Sequence, residues 1–174
     1  TTPIDTCGIC NGDNSSCSGC TDNTAANYDE NALFNQGCQY QYNISVNSNG
    51  ELMGNPNLSG EFGNIEFDDS DPTIIYNNSI PVTTAPSIFV NNYLNEQDAG
   101  IPVLPQEYSS NNEIVKLEPS TLSFSEEIRV TLSLENERNN NSQRVLRLND
   151  DGSWSAVENS EFVDNSCSFY TSSF

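Results

Sequence analysis

Ile128-Arg-Val130-Thr-Leu132-Ser-Leu134 alternates apolar and polar residues without a break. Successive side chains of an extended strand point to opposite faces, so the isoleucine, valine and leucines share one face and Arg129, Thr131 and Ser133 share the other. A helix would scatter these residues around its axis. Just upstream, Ile114-Val-Lys-Leu117-Glu-Pro119 and Leu122-Ser-Phe124 read as further strand material. Downstream, Val145-Leu-Arg-Leu148 and Ser153-Trp154-Ser-Ala-Val157 flank Asn149-Asp-Asp-Gly152, which has the residues of a hairpin turn. A last strand is expected around Cys167-Ser-Phe169-Tyr-Thr171.

Toward the N-terminus the same texture continues. Tyr40-Gln-Tyr42-Asn-Ile44-Ser-Val46 alternates cleanly and runs into Asn49-Gly50, a turn pair. Asn64-Ile-Glu-Phe67, Thr73-Ile-Ile-Tyr76 and Ser87-Ile-Phe-Val90 are short strand candidates, and Gly100 to Pro105 is expected to be extended or looped. No segment carries a helical apolar stripe. Short strands separated by turn residues predict an all-β protein, a β-sandwich over residues 40–174.

Residues 1–39 differ. Their large aliphatic side chains are Ile4, Ile9 and Leu33, too few for a hydrophobic core, so cross-links or ions must hold this piece together. Five of the six cysteines fall here, in Cys7-Gly-Ile-Cys10, Cys17-Ser-Gly-Cys20 and Cys38, and the sixth is Cys167. Two C-x-x-C pairs can mean zinc, a redox centre or disulfides. The six residues between the pairs are short for a zinc ribbon, and Cys38 and Cys167 would be left over. No βαβ pattern supports a thioredoxin-like centre. An even cysteine count in an acidic, sequon-bearing chain predicts a disulfide-rich, loop-dominated module with three bridges and no zinc.

The chain carries a formal charge of −20, with no Lys or Arg before Lys116 and no His at all. Such a surface repels nucleic acid and anionic lipid headgroups, while it suits a salty medium or divalent cations. Without His, the Ser-His-Asp and Cys-His arrangements and every imidazole metal site are excluded. Carboxylate pairs survive as a catalytic option, but Glu126-Glu127 alternates faces and Asp150-Asp151 sits in a turn, so no enzyme and no organic cofactor is expected. Asp5, Asp13, Asp22, Asn27, Asp29 and Asn31 could together offer hard oxygens to calcium, or simply close Asx turns; Asp68-Asp-Ser-Asp71 reads as a solvated turn.

Asn14, Asn43, Asn57, Asn77 and Asn140 each begin an N-x-[S/T] sequon and are glycosylation candidates. No apolar run approaches the roughly 20 residues of a spanning helix, so no membrane insertion is expected. Thr1-Thr2-Pro3 reads as the end of a linker, and the whole as a mature piece of a longer secreted chain. Tyr40 and Tyr42 share a strand face and are expected to pack against the cysteine module, and the lone Trp154 reads as a core or rim anchor rather than a sugar platform.

Asp5-Thr-Cys7-Gly-Ile-Cys10-Asn-Gly12-Asp13-Asn14-Ser15-Ser16-Cys17 resembles the cysteine-rich stretch of secreted metalloproteases with thrombospondin repeats. Proteolysis does not follow, since the chain lacks H-E-x-x-H. Gly19-Cys20-Thr21-Asp22, Ala25, Asn27-Tyr28, Ala32 and Gly37-Cys38 resemble the G-C-T-D-x-x-A-x-N-Y repeat of large extracellular proteins of aquatic bacteria, protists and their viruses. That resemblance implies a Cys20–Cys38 bridge bracketing the repeat, leaving Cys167 to reach Cys7, Cys10, Cys17 or another chain. Glu118 to Leu132 with the Leu148–Trp154 hairpin is similar to ZU-type β-sandwich modules of surface proteins. The expectation is an extracellular, non-enzymatic structural or adhesive unit of a surface assembly such as a filament, partnered by other copies or other extracellular proteins. The alternative is a module that binds carbohydrate or peptide.

Overall fold

The computed structural model describes residues 3–54, 56–67, 74–76, 80–81, 86–93, 96–106, 114–134 and 143–174. The Asp68–Asp71 run and the sequons at Asn77 and Asn140 lie outside these residues, as does the side chain of Asn57.

Strands dominate in chain order: β1 (Ser18–Gly19), β2 (Phe34–Asn35), β3 (Gln39–Asn43), β4 (Asn57–Gly60), β5 (Gly63–Glu66), β6 (Ile74–Tyr76), β7 (Ile80–Pro81) and β8 (Ser87–Tyr93). A single helical turn, α1 (Glu96–Ala99), precedes β9 (Ile114–Glu118), β10 (Leu122–Ser133), β11 (Leu146–Leu148), β12 (Trp154–Ala156), β13 (Glu161–Val163) and β14 (Ser166–Ser173). The larger sheet runs β13-β14-β10-β5-β4, with β6 and then β7 joined to the other end of β10. The smaller sheet runs β3-β8-β9, and all of its pairings are antiparallel.

The two sheets close on one core, which makes the fold a β-sandwich. Leu58, Ile65, Ile74, Leu122, Phe124, Ile128 and Val130 come from the larger sheet, and Tyr40, Ile88 and Val90 from the smaller. Ile65, Ile74, Ile88, Val90, Leu122, Ile128 and Val130 are all 0% exposed. Burying one such side chain contributes about 1.5–3 kcal/mol as an upper figure. Phe67, Phe124 and Phe174 continue the core as edge-to-face pairs with centroids 5.7 and 5.2 Å apart.

The long strand β10 organises the larger sheet. Along one side it pairs with β14, and along the other it is shared, with Arg129–Leu132 facing β5 and Leu122–Phe124 facing β6. Its register against β14 shifts between Ser123 and Ile128, so Ser125, Glu126 and Glu127 form a bulge. Leu122 and Phe124 are buried before the bulge and Ile128 and Val130 after it, while Ser125, Glu126 and Glu127 are exposed.

The β11–β12 hairpin turns where Asn149-Asp-Asp-Gly152 was expected to turn, with Asn149 N donating to Ser153 O at 2.8 Å and Gly152 at φ +80°. From β11, Arg147 donates to Ser173 Oγ at 2.9 Å and to the Phe174 carbonyl at 3.2 Å, which fastens the hairpin to the end of β14. Trp154 is half-buried on β12 with its Nε1 shut away from solvent, in keeping with an anchor. Strand β4 gave no signal in the sequence because Asn-Leu-Ser-Gly holds one apolar residue; it forms by pairing Leu58 with Ile65 across the Gly60–Gly63 turn.

Candidate functional site

The N-terminal segment contains two disulfides, Cys7–Cys17 and Cys20–Cys38, with Cα atoms 5.7 and 4.7 Å apart. Their loops span 10 and 18 residues in sequence, and in a chain-entropy treatment each closure stabilises by about 3 kcal/mol. The third expected bridge does not form. Cys10 is an exposed thiol in the first loop, whereas Cys167 is 1% exposed on β14 opposite Leu132. Both remain free thiols, and burial pushes the Cys167 thiol up to about 11.

The first loop is drawn together by Asp5. Its carboxylate accepts from Ile9 N at 2.7 Å and from Asn14 N at 3.0 Å, while Asn14 Oδ1 accepts from Thr6 N at 2.9 Å. A side chain at Gly12 would collide with that carboxylate, so the loop needs glycine there. Asp13 accepts from Ser15 N at 3.1 Å, opening the short 3-10 turn Ser15–Cys17. Hydrogen bonds from the Ser15 side chain and backbone hold the Asp13 carboxyl below its ordinary value.

The second loop is fused to the sandwich rather than hung from it. Cys20, Ala25 and Cys38 belong to the same buried cluster as Tyr40, Val90 and Ile128. Asp22 is the fastening point: Oδ1 accepts from Thr24 N at 2.9 Å and Thr24 Oγ1 at 2.7 Å, and Oδ2 accepts from Tyr40 Oη at 2.7 Å and Glu61 N at 3.1 Å. Burial pushes the Asp22 carboxyl up, but these donors outweigh it and the net shift is downward. Tyr40 stacks parallel to Tyr42 at 6.2 Å and meets Phe62 edge-on at 5.1 Å, so both tyrosines pack where the second loop sits on the sheets. Asn27 clamps the edge of β3, donating to Gly37 O and accepting from Gln39 N, both at 2.8 Å. Asn35 ties the loop to Glu61 and accepts from Thr21 N.

The six carboxylate and amide candidates for calcium divide between the two loops and make hydrogen bonds within the chain. Asp5 and Asp13 shape the first loop, Asp22 and Asn27 fasten the second, and Asp29 accepts from Asn31 N at 2.9 Å in an Asx turn. Among the described residues no three His, Cys, Asp or Glu side chains gather as a metal-ligand group. No helix of the described residues is long and apolar enough to cross a membrane.

Sequence reasoning missed a feature on the outer face of the smaller sheet. Ser87, Phe89, Glu118 and Pro119 line an open cleft of about 490 Å³. Register places Gln41, Phe89 and Glu118 side by side across β3, β8 and β9, with Asn43 next to Ser87. Lys116 and Glu118 form an ion pair at 2.8 Å, and Asn91 Nδ2 donates to Glu118 at 3.3 Å. Phe89 remains 39% exposed. The only available signal was an aromatic residue at the outward position of an alternating strand. Comparison with family models, with curated proteins and with solved structures finds no match to this chain.

Proposed function

We propose that this chain is a non-enzymatic, extracellular structural or adhesive unit of a larger surface assembly, one that repeats along a filament or appendage. The observation that carries this reading is how the motif residues of the second loop are used. Cys20 and Cys38 close it, Ala25 enters the core, and Asp22 and Asn27 fasten it to β3 and to the β4–β5 turn. These residues serve architecture, and their polar atoms are spent within the chain rather than offered to a ligand.

Two further features support the reading. Strands β9 and β13 end their sheets, with no strand neighbour on the outer side among the described residues, and such edges can take a strand from another copy. The −20 charge keeps copies apart in dilute medium and is screened within about 8–10 Å at physiological salt. Electron microscopy and sedimentation of the purified chain, over a range of concentration and salt, test the proposal. Ordered assemblies that grow with salt are expected. A chain that stays monomeric at high concentration, from a parent that proves to be a small soluble protein, overturns it.

A further inference from the structure

We infer that Asn43 is an N-glycan acceptor and that its first sugar lies in the cleft over Phe89. The inference rests on the extracellular reading above but not on assembly. Five sequons are present, and of the two whose side chains are described only Asn43 is presented for modification. Asn14 is half-buried and sits at φ +68° inside the Cys7–Cys17 disulfide loop. Asn43 is exposed at the end of β3, and Ser45, which completes its sequon, is exposed as well.

The amide geometry fits this role. Ser87 Oγ donates to Asn43 Oδ1 at 2.7 Å, which turns the amide so that Nδ2, the atom that would be modified, remains available. Glycosyl transfer would form a bond from Nδ2 to the anomeric carbon of the sugar. It would break the glycosyl–phosphate bond of a lipid-linked oligosaccharide donor, with one Nδ2 proton leaving to base and the electron pair leaving with the lipid pyrophosphate.

The cleft begins where that sugar would emerge. Ser87, paired in register with Asn43, is itself part of the lining, and Phe89 lies one step further along the same face of β8. Diagonal neighbours on antiparallel strands have Cβ atoms about 7–8 Å apart, within the span of one pyranose ring. The surface here is a shallow, open one, which suits a ring with one side left in solvent. The exposed ring of Phe89 presents a negative face to the sugar's C–H groups. Glu118 accepts from sugar hydroxyls on the far side, and its pairing with Lys116 keeps the local charge balanced, which suits a neutral sugar. A peptide strand would add along the outer edge of β9 rather than over the face that carries Phe89, and Pro119, just past the end of that edge, offers no backbone N–H.

The test is glycopeptide mass spectrometry on the full chain secreted from a eukaryotic host, compared with N43Q, S45A and F89A. Asn43 should carry glycan, and N43Q and S45A should each abolish it. F89A should leave the attachment intact while raising the rate of enzymatic release of the native glycan by roughly two- to tenfold. An unmodified Asn43 in a secreted chain glycosylated elsewhere overturns the acceptor assignment. A release rate unchanged in F89A overturns the seating of the sugar. Both readouts are independent of whether the chain assembles.

Discussion

The Tyr40 hydroxyl donates to the Asp22 carboxylate at 2.7 Å, joining the second disulfide loop to the first strand of the sandwich. The Glu61 amide donates to both groups, at 3.1 Å to Asp22 and 3.0 Å to Tyr40, so three segments meet at one point. Tyr40→Phe keeps the ring packing against Tyr42 and Phe62 and deletes only the hydroxyl. Hydrogen bonds to a charged group are worth about 1.5–3 kcal/mol, and a loss in that range is expected in urea denaturation. A loss below about 0.5 kcal/mol would show that the node is not under load in the folded state.

Acid should loosen the same node. The Asp22 carboxyl is raised by burial and lowered further by donors from Thr24, Tyr40 and Glu61, with a net depression. Its contribution is therefore complete above the unfolded carboxylate value of about 4 and is lost as pH falls through the lower folded value. Melting temperature followed from pH 6 down to pH 2 should drop less steeply in Asp22→Asn than in the parent chain.

Alkali acts from the other side of the neutral range. Burial first, and then the Asp22 charge, push the Tyr42 hydroxyl up to about 12. A folded value above the unfolded value of about 10 means stability that is full below pH 10 and is lost as pH rises toward 12. Tyr42→Phe should flatten that part of the melting profile, although it also removes the bond to Ser59 O at 2.7 Å and so starts from a lower stability.

The two thiols should react in sequence. Cys10 is exposed and should be alkylated at once in native buffer, whereas Cys167 is buried and its thiol is raised by desolvation. Mass spectrometry should find one label before denaturation and two after it. Cys167→Ser places a hydroxyl in an apolar enclosure, and a cost of about 1–3 kcal/mol is expected. Rapid native labelling of Cys167 would show that β14 opens.

Gly60 should tolerate no side chain. A methyl group there would run into the Tyr40 ring, and at Gly63, with φ +119°, it would run into the backbone of Thr131. Gly60→Ala is expected to cost about 1–3 kcal/mol by displacing Tyr40 from its stack, measured by denaturant melting.

Alternation made the sandwich readable wherever a strand has one buried face, as in Ile128–Leu134 and Tyr40–Ile44. It was silent at β4 and β13, which are edge strands recognisable only through their partners β5 and β14. The bulge at Ser125–Glu127 was also hidden, because the sequence shows two apolar pieces and only the register shift joins them in one strand. In the N-terminal segment, motif spacing pointed to the Cys20–Cys38 bracket, but no local pattern says that Asp22 meets Glu61 from far along the chain. Counting cysteines suggested a third bridge, and parity carries no information about which sulfurs face solvent.

The Cys20–Cys38 bridge has one more consequence, because Cys38 directly precedes β3. Tension applied near Pro3 would cross from Cys7 to Cys17 and from Cys20 to Cys38 through sulfur, reaching the sheet without stretching the loops between. Sequence separations of 10 and 18 are taken out of the pulling path, and at about 3.3–3.6 Å per residue that is slack the chain cannot pay out until a disulfide is reduced. A reductant would act here as a length switch: intact, the segment behaves as a short stiff tether, and reduced, as a long compliant one.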